Sequence, residues 1–401
     1  MKGRNACGSL IALVVAVLLL GGASQPVDAA DAPKTIKIGA MISLTGPDSA
    51  SGVPAKLGCD LAVDEINKAG GVMVNAYGKK IPLELVAPDM ESNPEKAIAR
   101  AEAMNAQGVP VAMGTTLVGA SGEIFEKNKL PVVTCLMTIN AVMDRGFKYF
   151  FHIGGLNSDI VKAVFDMFGS LPKGTMPTKW AFVKEQSDFA TELFMFAKQI
   201  APKQGISITY EGHYAMMTPD LSAIINGAKN SGAEVIFAFP NAPDAITMLK
   251  QMAQLGYRPK ANIMLRGSND PSWGRLGALG DYAIGSPDWH PALNFPGVTE
   301  LDAKVKAKTG QPTNPSVGSA YASIKVAAAA IEKAGSLDRS AIRDALAATD
   351  MMTVMGQVRF SPKNTRLNAI RPVIQWQKGT MELVWPADQR SKPLVYPIPA
   401  N

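Results

Sequence analysis

The stretch IKIGAMISLTGP, residues 36–47, decides how the rest of the chain is read. Ile36, Ile38, Ala40 and Ile42 alternate in the manner of a strand, and Leu44-Thr45-Gly46-Pro47 breaks the run with turn residues. From Pro54 to Ala69 the small or apolar residues Gly58, Leu61, Ala62 and Ile66 fall at helical spacing, and Gly70-Gly71 ends the pattern. Strand, exposed loop and long helix, in that order, open a parallel sheet. In such sheets the loop leaving the carboxyl end of a strand is where ligands are usually held.

The alternation continues. Ile81–Val86 reads as a second strand, and Asn93-Pro94-Glu95 starts a helix with a capping residue followed by proline at the first helical position. Val109–Met113 and Leu130–Cys135 read as buried strands around the small, polar loop 114–122. The aromatic stretch Lys148–Gly154 precedes a helix from Ser158 to Phe168 and marks a passage to a second unit. There, strands at Trp180–Val183, Ile206–Tyr210, Val235–Phe239 and Ile263–Leu265 are separated by helical segments. Residues 281–297, rich in turn formers and carrying Trp289 and His290, lead back to the first unit. Helices over Ser316–Ala334 and Asp338–Ala347 follow. Val358–Ser361 and Val373–Val384 are the last extended segments, with a hairpin turn at Lys378-Gly379, and the proline-rich tail from Pro386 lies on the surface. A chain of this length exceeds one comfortable core, so two similar doubly wound α/β lobes are expected.

The first 30 residues have the layout of a secretory signal: Lys2 and Arg4, an unbroken apolar run over Leu10–Leu20, and small residues around Ala29 and Ala30. That run is too short for a bilayer, which needs about 20 residues. Cys7 precedes it, whereas a lipid-modified cysteine would follow. Cleavage would remove Lys2, Arg4 and Asp28 and lower the net charge from +6 to +5. The basic residues are scattered, with no arginine-rich run interleaved with aromatics, so no nucleic-acid partner is expected. Cys59, within the first helix, and Cys135, at a strand end, are expected as buried free thiols, and no Cys or His spacing describes a zinc site.

Nothing in the chain resembles catalytic machinery. It holds no G-x-S-x-G elbow, no P-loop, no G-x-G-x-x-G after the first strand and no H-E-x-x-H, and its three histidines have no paired nucleophile. No cofactor or metal is expected. A sensor is the other class open to a two-lobed binding fold.

The opening stretch together with DLAVDEINKAGGV at 60–72 resembles the periplasmic solute-binding proteins of the branched-chain amino acid type, which deliver small molecules to ABC transporters. The resemblance runs from about residue 35 to near the C-terminus. It implies the type I periplasmic binding architecture, two Rossmann-like lobes joined by three crossover segments. One lobe is expected over 35–153 plus 284–357 and the other over 154–283 plus 358–401. It further implies a periplasmic location, a membrane permease as partner, a monomer, and a solute held between the lobes by hinge motion.

The resemblance also places the ligand contacts. The loop GTTLVGASG, 114–122, corresponds to the family's serine-rich segment, which makes Thr116, Leu117 and Val118 candidates; Val118 replaces a serine, and Thr115 or Thr116 is the substitute hydroxyl. The segment TCLMTINAVMDRG, 134–146, contributes Leu136, Met137 and Thr138, with larger apolar groups where small ones are usual. Phe189 matches a tyrosine that packs on the ligand. Ser51 and Asn241 fall where aromatics are frequent, and Gly267 falls where amino-acid binders place a carboxylate for the ligand's ammonium. Asp270, three residues on, is the nearest acid to recover that charge. A buried ammonium left without a partner is costly, about 1–3 kcal/mol or more. The expected ligand is therefore an aromatic or aliphatic carboxylate or amide, with a branched-chain amino acid as the alternative. Trp273 is a further candidate for its apolar body. His152, beside the first crossover, either faces the cleft or is a hydrogen-bonded structural histidine.

Overall fold

β1 (Ile36–Met41) forms where expected, but its alternation is lost in the folded chain: five of its six residues are buried. The computed structural model, which describes residues 32–114 and 116–399, shows why. β1 lies inside a parallel sheet covered on both faces, so both sides of the strand meet apolar neighbours. The expected signal segment, residues 1–30, lies outside the described residues.

α1 (Ser49–Lys68) follows, starting five residues earlier than the spacing predicts. The turn at Gly46 (φ 81°) and the hydrogen bonds from Ser51 and Gly52 amides to the Asp48 carbonyl begin it, and Pro54 is absorbed in its second turn. β2 (Val72–Val74) and β3 (Lys79–Ile81) form a small antiparallel ribbon, and β4 (Leu83–Val86) enters the large sheet. The single strand expected over 81–86 is thus two, divided at Pro82, which has no amide to continue a ladder. α2 (Pro94–Ala106) is capped as expected, the Asn93 side chain accepting the Lys96 amide at 3.0 Å. Next come β5 (Val111–Gly114), α3 (Val118–Lys127), β6 (Val132–Thr134), the short α4 (Asn140–Met143) and β7 (Phe150–His152).

The second series holds α5 (Asn157–Gly169), β8 (Lys179–Glu185), α6 (Asp188–Ile200), β9 (Ser207–Tyr214), α7 (Ser222–Asn230), β10 (Val235–Phe239), α8 (Ala242–Gln254), β11 (Ala261–Met264) and β12 (Ala283–Gly285). The chain then supplies α9 (Val298–Thr309), α10 (Pro315–Ala334), α11 (Arg339–Ala347), the paired β13 (Asp350–Thr353) and β14 (Gly356–Arg359), and the hairpin of β15 (Val373–Gln377) and β16 (Thr380–Trp385). The hairpin turns at Lys378 (φ 54°) and Gly379 (φ 74°), two left-handed residues that match the twist of the strands.

The two large sheets share one plan. The first runs β4-β1-β5-β6-β7, all parallel; the second runs β16-β15-β12-β11-β10-β8-β9, parallel from β12 to β9 with β15 and β16 antiparallel at one edge. In each, the chain starts inside the sheet, steps outward once and then builds the other way. The strand order therefore reverses beside β1 and beside β8, and at each reversal the flanking loops diverge and leave a crevice. α10 packs on α1 at a crossing so close that a Cβ added at Gly58 would lie 2.3 Å from the Val317 carbonyl oxygen. Cys59 and Cys135 are buried free thiols in this first core. The tail beyond β16 is pinned to the second sheet: Gln375 exchanges two hydrogen bonds with Val395, and Tyr396 meets Phe168 edge-on.

The chain passes between the sheets three times. It leaves the first between β7 and α5, returns after β12 through residues 286–289, and leaves again after Thr365 and Arg366, which still pair with His152 of β7. Arg371, on the third passage, holds all three together. Its guanidinium, 6% exposed, donates to the Gly155 carbonyl on the first passage and to Ser286 and Asp288 on the second.

Candidate functional site

The crevices beside β1 and β8 face one another and enclose a cavity of about 630 Å³. Its first-lobe wall is the loop after β1 and the start of α1, Thr116 after β5, Leu136–Ile139 after β6, and the start of α10; its second-lobe wall includes Phe189, the start of α8 and the loop after β11. Ser286, Asp288 and Arg371 form its floor at the passages.

Of the residues expected at the ligand, Ser51, Thr116, Leu136, Met137, Thr138, Phe189, Asn241 and Asp270 line this cavity. Leu117, Val118 and Gly267 do not. Val118 is fully buried in the first-lobe core and opens α3, so its side chain points into packing. Gly267 is buried behind the wall, and a Cβ there would sit 2.4 Å from that of Ala245. No carboxylate-bearing side chain fits at 267 without a shift of α8. Thr115 lies outside the described residues. Trp273 packs in the second-lobe core, its indole N–H donating to the Gly280 carbonyl at 3.0 Å.

Several of the lining groups are already engaged. Ser51 donates to the Asp48 carbonyl at 2.9 Å, and Asn241 caps α8 by accepting the Asp244 amide at 2.9 Å. Asp270 is half-buried and bridges the lobes: it accepts the Ser272 amide at 2.8 Å and the Asn314 side-chain amide, from the cap of α10, at 3.3 Å.

The spacing of residues gave no sign of four charged groups here. Asp48 accepts the Thr116 hydroxyl at 3.1 Å and pairs across the cavity with Arg266 at 3.3 Å. Arg266 lies over the Phe189 ring, 5.7 Å from its centre. Asp288 is paired with Arg371. The expected acid Asp270 lines the wall, and Asp48 and Asp288 line it too, each with a donor already in place. Beside the cavity, α6 sends Glu192 to the first lobe, where its nearly buried carboxylate accepts the Asn140 and Ala141 amides at 2.8 and 2.9 Å; it also accepts the side chain of Asn157, at the start of α5, at 2.8 Å.

Behind the second-lobe wall, burial pushes the Glu185 and Asp244 carboxyls up, while the Arg266 charge works against the shift at Glu185. His152 is fully buried, outside the cavity lining, between the Met137 and Gly154 carbonyls. Burial lowers it to about 4, so it serves as a neutral support for the Leu136–Thr138 loop. His290 is similar: it accepts the Ala292 amide at Nδ1 and donates from Nε2 to the Met381 carbonyl, and burial lowers it to about 4. A folded-state value below the unfolded one, about 6.5, means that this group's contribution is intact above pH 6.5 and is lost as pH falls through 4. The share owed to His290 is roughly 3 kcal/mol. Urea-unfolding midpoints measured from pH 7 to 4 are expected to fall less steeply in His290→Gln than in the unaltered protein; equal slopes would contradict it.

Among the described residues no grouping of three or more His, Cys, Asp or Glu side chains is placed to hold a metal ion, and no helix is long and apolar enough to cross a membrane. The architecture and cavity match a known group. The model of one family, described as periplasmic binding protein, covers residues 35–380.

The chain belongs to the periplasmic binding protein family.

It is 27% identical to Leu/Ile/Val-binding protein homolog 7 of Brucella suis, across 94% of this chain and 96% of that one. Its fold matches a leucine-binding protein from Thermotoga maritima with a TM-score of 0.77 at 21% identity, covering 87% of this chain and 97% of that one. It also matches an R. palustris ABC-transporter solute-binding protein, solved with benzoate, with a TM-score of 0.75 at 15% identity, covering 90% and 98%. Periplasmic binding proteins are a solute-binding family and not a family of enzymes.

Proposed function

We propose that this periplasmic binding protein is the solute-capturing component of an ABC uptake transporter, exported by residues 1–30, acting as a monomer without catalysis and presenting its cargo to a membrane permease. The observation that carries this reading is the cavity of about 630 Å³ between the order-reversal points of two similar sheets, walled from both lobes. The three passages divide the chain near residues 153, 286 and 367, and relative rotation about them opens and covers the cavity. The relatives named for leucine, isoleucine and valine, and the structures named for leucine and for benzoate, support a small organic solute with a polar head and an apolar body. Leu136, Met137, Ile139, Ile160, Leu265 and Phe189 supply apolar wall for that body, more than a short amino acid needs. An aromatic or aliphatic carboxylate or amide fits best, and a branched-chain amino acid is second. The contacts are assigned to Ser51, Thr116, Leu136, Met137, Thr138, Phe189, Asn241 and Asp270.

A thermal-shift screen of protein stripped of ligand by unfolding and refolding tests the reading. Ligand at a hundredfold over its Kd adds about 2.7 kcal/mol to stability. Aromatic and aliphatic acids are expected to raise the melting temperature. A rise with leucine or valine alone would move the assignment to an amino acid, and no rise with acids, amides or amino acids would overturn it.

A further inference from the structure

The two guanidinium groups at the cavity are used in opposite ways. Arg371 is buried, and each of its three nitrogens donates to the passages around it. Arg266 is 43% exposed, and among the described residues only its Nη2 has a hydrogen-bond partner, Asp48. That contact is single and 3.3 Å long, whereas charge-assisted pairs close to about 2.7–2.9 Å and arginine prefers two parallel bonds to a carboxylate. The unused donors lie at the cavity wall, on a side chain stacked against Phe189, which is also at the wall.

Asp48 does not depend on Arg266 for its position. Its carboxylate accepts the Thr116 hydroxyl, its amide donates to the Ser92 hydroxyl at 3.0 Å, and the start of α1 uses no side-chain cap from it. The first lobe thus holds the acid in place, while the second lobe offers the arginine on a flexible stem.

From this asymmetry we infer that Arg266 selects an anionic solute and that Asp48 is the intramolecular stand-in which the solute's carboxylate displaces. The inference rests on the reading of the cleft as a solute site and names the head group that site takes. A carboxylate with a ring or branched body gains the bidentate contact that Asp48 does not make and packs its apolar part on the Phe189 ring. The cross-lobe pair acts as a competitor, so binding is an exchange of one carboxylate for another on the same guanidinium.

The exchange has a signature that a structural ion pair lacks, because the two partners affect affinity in opposite directions. Calorimetric titrations of the refolded, ligand-free protein with benzoate, 4-methylpentanoate, leucine, benzamide and benzylamine read it out. In Arg266→Gln, binding of the carboxylates is expected to weaken about ten- to a hundredfold, the loss of a charge-assisted hydrogen bond. Benzamide binding is expected to stay within about threefold. In Asp48→Asn, carboxylate binding is expected to strengthen, by about two- to fivefold for the removal of a single ion pair near the surface. Unfolding midpoints without ligand check that both variants are folded. If carboxylates bind but the two substitutions weaken them alike or leave them unchanged, Arg266 is no selector and the solute reading stands. If only benzylamine or benzamide binds, or Asp48→Asn weakens binding and Arg266→Gln strengthens it, the inference is overturned in favour of a cationic or neutral solute. If neither the unaltered protein nor Asp48→Asn binds any of the five, the solute reading fails and the inference with it.

Discussion

Arg371→Ala is expected to lower unfolding stability by about 3–5 kcal/mol, the range for removing one partner of a buried ion pair. The cost has two sources. Asp288, which pairs with no other side chain among the described residues, is left with an uncompensated charge at the cavity floor. The carbonyls of Gly155 and Ser286 each lose a charged donor in a buried setting. Because these partners sit on the two passages other than the one that carries Arg371, the loss loosens the joint between the lobes as well as one contact. Arg371→Lys keeps a positive charge but not the planar fork that reaches several acceptors at once, so it should recover only part of the deficit. Arg371→Ala combined with Asp288→Asn should also recover part, by removing the stranded charge. Urea unfolding of the set checks this; a loss below about 1 kcal/mol in Arg371→Ala, typical of a surface pair, would show that the passages hold without it.

Trp289→Ala is expected to cost a similar amount, about 3–5 kcal/mol, the range for truncating a buried aromatic. Trp289 ends the second passage and is fully buried. Its ring lies so close to α10 that a Cβ at Gly318 would be 2.2 Å away, and its indole N–H donates to the Val354 carbonyl at 2.9 Å. Truncation leaves a void against a helix with no side chain at 318 to fill it, and an unanswered carbonyl besides. Trp289→Phe keeps most of the volume and loses the bond, so a cost of roughly 1–2 kcal/mol is expected. Unfolding midpoints separate the two, and equal costs would place the whole effect in the hydrogen bond.

Much of this architecture was legible along the chain because its causes are local. The run from Ile36 to Gly71, the Asn93-Pro94 cap and the Lys378-Gly379 turn each depend on neighbours within a few residues, and each formed as an element of the expected kind. The cavity loops were found by segment, and Leu136, Met137, Thr138 and Phe189 all reach the wall. Segment matching does not fix where a side chain points. Val118 turned into the core because α3 begins with it, and Gly267 has Ala245 against its back. The charged groups escaped notice for another reason. Asp48 and Arg266 are 218 positions apart, and Asp288 and Arg371 are 83 apart, so no periodicity or spacing relates them. Such pairs exist only once two lobes have been laid side by side. The division of 81–86 at Pro82 was written in the chain, as was the extra ribbon it permits, but only the partner strand β2 shows which sheet each half joins.

Glu192 is not among the residues that line the cavity, yet it bears on how tightly the cavity can hold anything. Its carboxylate belongs to one lobe and two of its donors, the Asn140 and Ala141 amides, lie on the other, so that part of its energy counts only in lobe arrangements that keep them together. An empty receptor is a mixture of arrangements, and its apparent dissociation constant is the intrinsic one divided by the fraction of molecules already competent to bind. When the competent arrangement is the rarer one, each 1.4 kcal/mol or so added to or taken from it rescales affinity about tenfold. A residue at the lobe border thereby acts as a gain control: it sets the concentration at which the receptor responds and leaves the choice of solute to the wall.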